Sequence, residues 1–146
     1  MVDVTRRIAA EKENVEKALD NLRNAMERRE KSVVELAAIA TFLHNIYNGI
    51  ENILKQVLKT KGTEIPKSDT WHKDLLNLSV SLGIIPAKLS DDLYEYLTFR
   101  HFFMHAYGFM LEEAHLKNLA NNIKNVWLQF LSVIDKYCQT PNNTTQ

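Results

Sequence analysis

Residues 32–62, SVVELAAIATFLHNIYNGIENILKQVLKTKG, decide the fold. Val34, Ala37, Phe42, Ile46, Ile50, Ile53, Leu54, Val57 and Leu58 recur at the three- and four-residue steps that bring side chains to one side of an α-helix. The face they make is wide, so the spacing predicts a central core helix from Ser32 to Thr60. Ser32 followed three residues on by Glu35 is a capping box. Lys61-Gly62 closes the other end: glycine accepts the left-handed conformation, and lysine complements the negative helix terminus. His44 and Asn45 fall within this helix and read as polar groups satisfied at the edge of its face.

On the N-terminal side, a helix is predicted from Thr5 to Arg29. Its apolar stripe is narrow (Ile8, Val15, Ala18, Leu19, Leu22, Ala25 and Met26), which suits a peripheral packing helix with one neighbour. On the C-terminal side, a loop around Pro66 leads to a short helix capped by Asp69 or Thr70. That helix carries Trp71, Leu75, Leu78 and Leu82 and stops at Gly83. His72 beside Trp71 is a single imidazole on a short helix; it reads as structural, a ligand or base being the alternative. A fourth helix is expected to start at Ser90, with Leu93, Tyr96, Leu97 and Arg100 on one face. A fifth is expected from Leu111 to Tyr137, burying against the core helix.

Composition agrees. The chain has 146 residues, 45% of them hydrophobic and 25% charged, with only four glycines and three prolines, as in an all-α protein. The expected architecture is an antiparallel bundle of about five helices, with residues 1–138 as one domain and 139–146 as a polar tail. Lys plus Arg equal Asp plus Glu at 18 each, so no global basic field announces nucleic acid. The lone Cys138 has no partner for an internal disulfide and no base beside it in sequence. The start lacks the apolar run of a signal peptide, and no run of about 20 apolar residues appears. The expectation is a cytoplasmic protein with no membrane partner.

The chemistry concentrates in Arg100-His101-Phe102-Phe103-Met104-His105-Ala106-Tyr107-Gly108. Seven of the thirteen aromatic residues lie between Tyr94 and Phe109. A helix turns about 100° per residue, so Arg100 and His105 on an unbroken helix would stand roughly 140° apart. Either the helix ends near Met104, or a second copy of the chain completes the site. A departure of residues 105–108 from the helix is expected, with Gly108 as the natural hinge. Arginine matches phosphate oxygens with a permanent planar cation, and histidine moves protons near neutral pH. Together they suffice for metal-free RNA cleavage, the imidazole taking the proton of a ribose 2′-OH and the guanidinium meeting charge on the phosphate. The same residues equally suit an Arg bonding carbonyls at a helix end, with His and Tyr bridging helices. No metal-ligand spacing and no glycine-rich phosphate loop is present in the sequence.

Arg100, four residues, His105-Ala106-Tyr107, between two late helices of a small all-α chain, closely resembles the HEPN superfamily, and within it the HepT toxins of HepT/MntA toxin–antitoxin systems. The likeness covers nearly the whole chain, including Trp71-His72-Lys73-Asp74-Leu75-Leu76 ahead of the motif. The family often has Asn after the motif's Arg; here it is His101, a candidate supporting residue. The resemblance implies a homodimer whose motifs meet at a composite ribonuclease site, with Arg100 and His105 as the catalytic pair. It implies a type VII-like pairing in which an MntA-like nucleotidyltransferase antitoxin adenylylates Tyr107. ATP and Mg²⁺ would serve that partner, and the chain would need no cofactor. The RNA substrate would be tRNA or mRNA, not DNA. The other reading is a non-catalytic helical subunit that positions substrate for a nucleotidyltransferase.

Overall fold

The computed structural model describes residues 2–105 and 112–139, with Val2, Asp3 and Gln139 described by their backbone alone. Among these residues the chain forms five helices and no strand: α1 (Val2–Met26), α2 (Val33–Thr60), α3 (Trp71–Ser81), α4 (Ala87–Met104) and α5 (Glu113–Gln139). α2 is the hub and packs against each of the others. Val15 against Gly49 and Glu11 bonded to Asn52 show that α1 runs antiparallel along it. Tyr96 Oη donating to Leu119 O at 2.7 Å, with Phe99 facing His115, shows the same of α4 and α5.

The two end signals in the quoted stretch have their expected consequence. The Ser32 hydroxyl accepts from Val34 N, and the Glu35 carboxylate accepts from Ser32 N. The hydrogen bond from Ser32 holds the Glu35 carboxyl below its ordinary value. At the other end Gly62 has φ 70°, with Gly62 N bonded to Lys59 O and Thr63 N to Leu58 O. This is a Schellman closure. α3 ends the same way at Gly83, φ 74°, where Gly83 N reaches Val80 O and Ile84 N reaches Ser79 O. The closure turns Ile84 and Ile85 inward, where both are buried.

Several readings differ from expectation. α1 spans Val2–Met26 rather than 5–29, and α5 runs on to Gln139, while its expected start at Leu111 lies outside the described residues. α4 begins at Ala87, not Ser90: extended Pro86 takes the cap position, and Ser90 is a buried residue of the first turn whose N–H bonds Pro86 O. Thr70 does stand at the start of α3, but its hydroxyl donates to Asp74 and caps no amide. Val34 lies outside the core at 75% exposure, because the first turn of α2 is held by its cap rather than by packing. Leu82 is likewise exposed, at the residue that closes α3.

α2 is also the one described helix long and apolar enough, by length and composition, to cross a membrane. Here its apolar side forms the centre of the core, with Ile39, Leu43, Ile46, Ile50, Ile53, Leu54 and Leu58 essentially sealed from solvent.

Gly49 sets the distance between α1 and α2. A Cβ there would lie 2.3 Å from Val15 Cγ2. Val15 is buried and its β-branched side chain has little rotameric freedom to yield. Alanine improves helix propensity by about 1 kcal/mol, while overpacking of this severity costs about 1–3 kcal/mol. Gly49→Ala is therefore expected to lower the unfolding free energy by up to about 2 kcal/mol in urea denaturation. Adding Val15→Ala should recover part of that loss, as coupled neighbours do.

Candidate functional site

Four polar side chains interrupt the apolar face of α2 at helical spacing: His44, Tyr47, Asn48 and Glu51. Glu51 is 3% exposed, and a carboxylate so buried needs compensating partners. Its partner comes from α3. His72 Nδ1 donates to Glu51 Oε2 at 2.7 Å and lies 2.9 Å from Oε1. Trp71 stacks on the His72 ring at 3.6 Å between centroids, and Lys55 Nζ sits 4.2 Å above Trp71. Arg100 enters from α4, just before its last turn. Its Nε donates to Asn48 Oδ1 at 3.0 Å, and its Nη1 lies 3.4 Å from His72 Nε2. Asn48 Nδ2 donates to His44 Nε2 at 3.0 Å.

Partners assign the tautomers along this chain of bonds. A carboxylate only accepts, so His72 carries its hydrogen on Nδ1, and Nε2 offers a lone pair to Arg100. Arg100 only donates, so Asn48 turns its oxygen to Arg100 and its NH₂ to His44. His44 then has its lone pair on Nε2, while its Nδ1 is buried without a hydrogen-bond partner among the described residues. Burial first, and the Arg100 charge second, push the His44 imidazole below its ordinary value, with Glu51 opposing. The Tyr47 hydroxyl is buried beside Glu51, and burial together with that charge pushes it well above the ordinary phenol range.

A pH dependence follows from His44. Its folded-state pKa is depressed, so the unfolded chain binds the proton more readily. The stability it contributes is present above the ordinary imidazole value of 6.5 and is lost as pH falls below it. Urea midpoints measured across that range should fall with acid in the wild type, and less steeply in His44→Gln.

His105 lies apart from this network. α4 ends at Met104, and His105 is the exposed residue that closes it, with φ −95° and ψ 30°. Its Nδ1 hydrogen-bonds His101 O at 2.8 Å, and its ring faces that of His101 at 4.1 Å. The helix thus does end where the 140° argument asked it to. Still, among the described residues no hydrogen bond joins Arg100 to His105. Tyr107 and Gly108 lie outside the described residues. The helix-end carbonyl role weighed for Arg100 falls to His105 instead.

Sequence reasoning missed Glu51 and Asn48 and set His72 aside as structural. A signal was present: a carboxylate, an amide and an imidazole seven residues apart end to end, on a helix otherwise built for the core. Asn45, read as an edge group, is exposed. Among the described residues no group of three His, Cys, Asp or Glu side chains is placed to hold a metal ion.

On the outer side of α4, Tyr94 and Phe102 are exposed and, with Thr98, Phe99, His115 and Leu116, line an apolar hollow of about 420 Å³ towards α5.

A family model described as "HepT-like protein" matches residues 38–141, from the first turns of α2 past the end of α5. No curated protein and no solved structure matches the chain.

Proposed function

Since the chain belongs to the HepT-like family of the HEPN superfamily, we propose that it is a metal-independent endoribonuclease toxin, silenced by adenylylation of Tyr107. The observation that carries this reading is that the family match spans residues 38–141 and so contains Arg100, His105 and Tyr107 in their motif spacing. The family places the chain among toxin-like, nuclease-related proteins. The finer assignment rests on the chemistry of these side chains.

In the proposed reaction His105 takes the proton of a ribose 2′-OH. The 2′ oxygen attacks the adjacent phosphorus, and the bond to the 5′ oxygen breaks. The products are a 2′,3′-cyclic phosphate and a 5′-hydroxyl, whose proton comes from a second imidazole or from solvent. Arg100 binds the non-bridging oxygens, where negative charge builds in the transition state. Its guanidinium is held by Asn48 and His72, so it is oriented before substrate arrives. His105 stands outside the helix with an exposed ring, as a base that meets a large substrate must. Because Arg100 and His105 have separate partners within one chain, the site is proposed to be completed by a second copy, the homodimer burying exposed Tyr94, Phe102 and Met104. His101, its ring tilted against that of His105 at 4.1 Å between centroids, would support it.

The partner would be an MntA-like nucleotidyltransferase using ATP and Mg²⁺. The Tyr107 oxygen would attack the α-phosphorus of ATP, its proton passing to solvent and pyrophosphate leaving, and the added phosphodiester would place negative charge where RNA must bind.

One observation favours the non-catalytic alternative: the Arg100 guanidinium is already engaged by Asn48 and His72. A single experiment separates the two. Unmodified protein is incubated with cellular RNA in chelator, beside Arg100→Ala and His105→Ala. Loss of cutting in both variants supports the toxin reading. Cutting that survives in either one removes that residue from the site. Intact RNA with the wild type, together with a stable transferase complex, selects the alternative.

A further inference from the structure

We infer that His72 is a positioning residue for Arg100, held in one tautomer by Glu51 so that its Nε2 lone pair fixes the guanidinium. The inference rests on the reading of Arg100 as the group that meets the scissile phosphate. It concerns a residue of α3, distant in sequence from the motif.

Three observations carry it. First, Glu51 is 3% exposed and engages His72 Nδ1 with both oxygens, at 2.7 and 2.9 Å. A buried carboxylate at that distance has one use for the ring, which is to accept the Nδ1 hydrogen. Second, His72 Nε2 faces Arg100 Nη1 at 3.4 Å. Arginine has no acceptor, so this contact is attractive only while Nε2 carries a lone pair. A hydrogen there would set donor against donor and cation against cation. Third, the ring plane is restrained by the stacked Trp71, itself covered by Lys55.

The arrangement therefore transmits the Glu51 charge to Arg100 through a neutral imidazole. Asn48 holds the guanidinium at Nε and His72 holds it at Nη1, which fixes the plane of the fork. Nη2 has no part in either bond and is the edge that remains to meet phosphate oxygens. Glu51 acting alone would draw Arg100 inward as a direct ion pair. The interposed imidazole keeps the cation at the end of α4 while still compensating the buried carboxylate.

The test has two arms. In the full chain carrying ¹⁵N-histidine, long-range proton–nitrogen spectra at neutral pH report each imidazole's tautomer, the His72 signals being identified by their loss in His72→Gln. Nδ1 is expected to be pyrrole-type and Nε2 pyridine-type. Arg100→Ala should shift the Nε2 resonance, and Glu51→Gln should mix the tautomers. An imidazolium, the reverse tautomer, or an Nε2 signal indifferent to Arg100→Ala overturns the inference. In the second arm, RNA cleavage is compared for His72→Phe, which keeps the stacking, and His72→Gln, which restores an acceptor. Loss of one hydrogen bond to a charged group predicts about a tenfold fall in kcat for His72→Phe with KM little changed, and recovery of most of it in His72→Gln. Equal losses in the two variants would make His72 a packing residue and sink the inference. If the wild type cuts no RNA, the proposed function fails, while the spectra still decide whether His72 holds Arg100.

Discussion

Arg100→Ala is expected to slow RNA cleavage about a thousandfold, the loss that follows removal of a preorganised donor aimed at transition-state charge. The same substitution should also weaken the fold. It takes the donor from Asn48 Oδ1 and from His72 Nε2, and it leaves Glu51 buried with a neutral imidazole as its compensation. Orphaning such groups costs about 1–3 kcal/mol, so urea denaturation should show a loss in that range. Arg100→Lys restores a charge but not the fork. A single ammonium cannot reach Asn48 and His72 with the two separate edges that a guanidinium offers. Partial recovery of stability with little recovery of cleavage is the expected pattern, read from single-turnover rates in chelator. An Arg100→Ala protein that cuts RNA within about tenfold of the wild type would remove the residue from the chemistry, since a 1.4 kcal/mol effect is too small for this role.

His105→Ala should show the opposite balance. Loss of a general base costs about a hundredfold to ten-thousandfold in rate, so cleavage should fall as steeply as for Arg100→Ala. Stability should change by no more than about 0.5 kcal/mol, the usual limit for an exposed position away from buried partners. The reason is geometric. His105 is exposed at the end of α4, and its ring bonds a carbonyl of the last turn, which water can satisfy equally well. The two variants thus share a kinetic effect and differ in their thermodynamic one. If His105→Ala loses stability in proportion to activity, its bond to His101 O is its real role.

Much of this was legible in the linear chain. The period of Ile46, Ile50, Ile53, Leu54 and Val57 specified a core helix, and all five are buried. Ser32 and Glu35 specified its start, and Gly62 and Gly83 specified two stops, because capping and left-handed closure are satisfied within four residues of where they are encoded. The start of α4 was misread for a related reason. Ser90 has the chemistry of a cap, but Pro86 is already extended, and the burial of Ile84 and Ile85 on its N-terminal side fixes where the chain enters the helix.

The motif itself was equally visible, as were the angular mismatch between Arg100 and His105 and the helix end at Met104, which leaves the two side chains with separate partners. Its surroundings were not. Nothing in the spacing of residues 100–108 points to Asn48 or His72, which lie 52 and 28 residues away. Periodicity and capping act over one or two turns, so the residues alone dictate the helices and most of their ends. Which side chains meet depends on how α2, α3 and α4 pack. That packing buries Glu51, obliges it to find His72, and through His72 sets the direction in which Arg100 points.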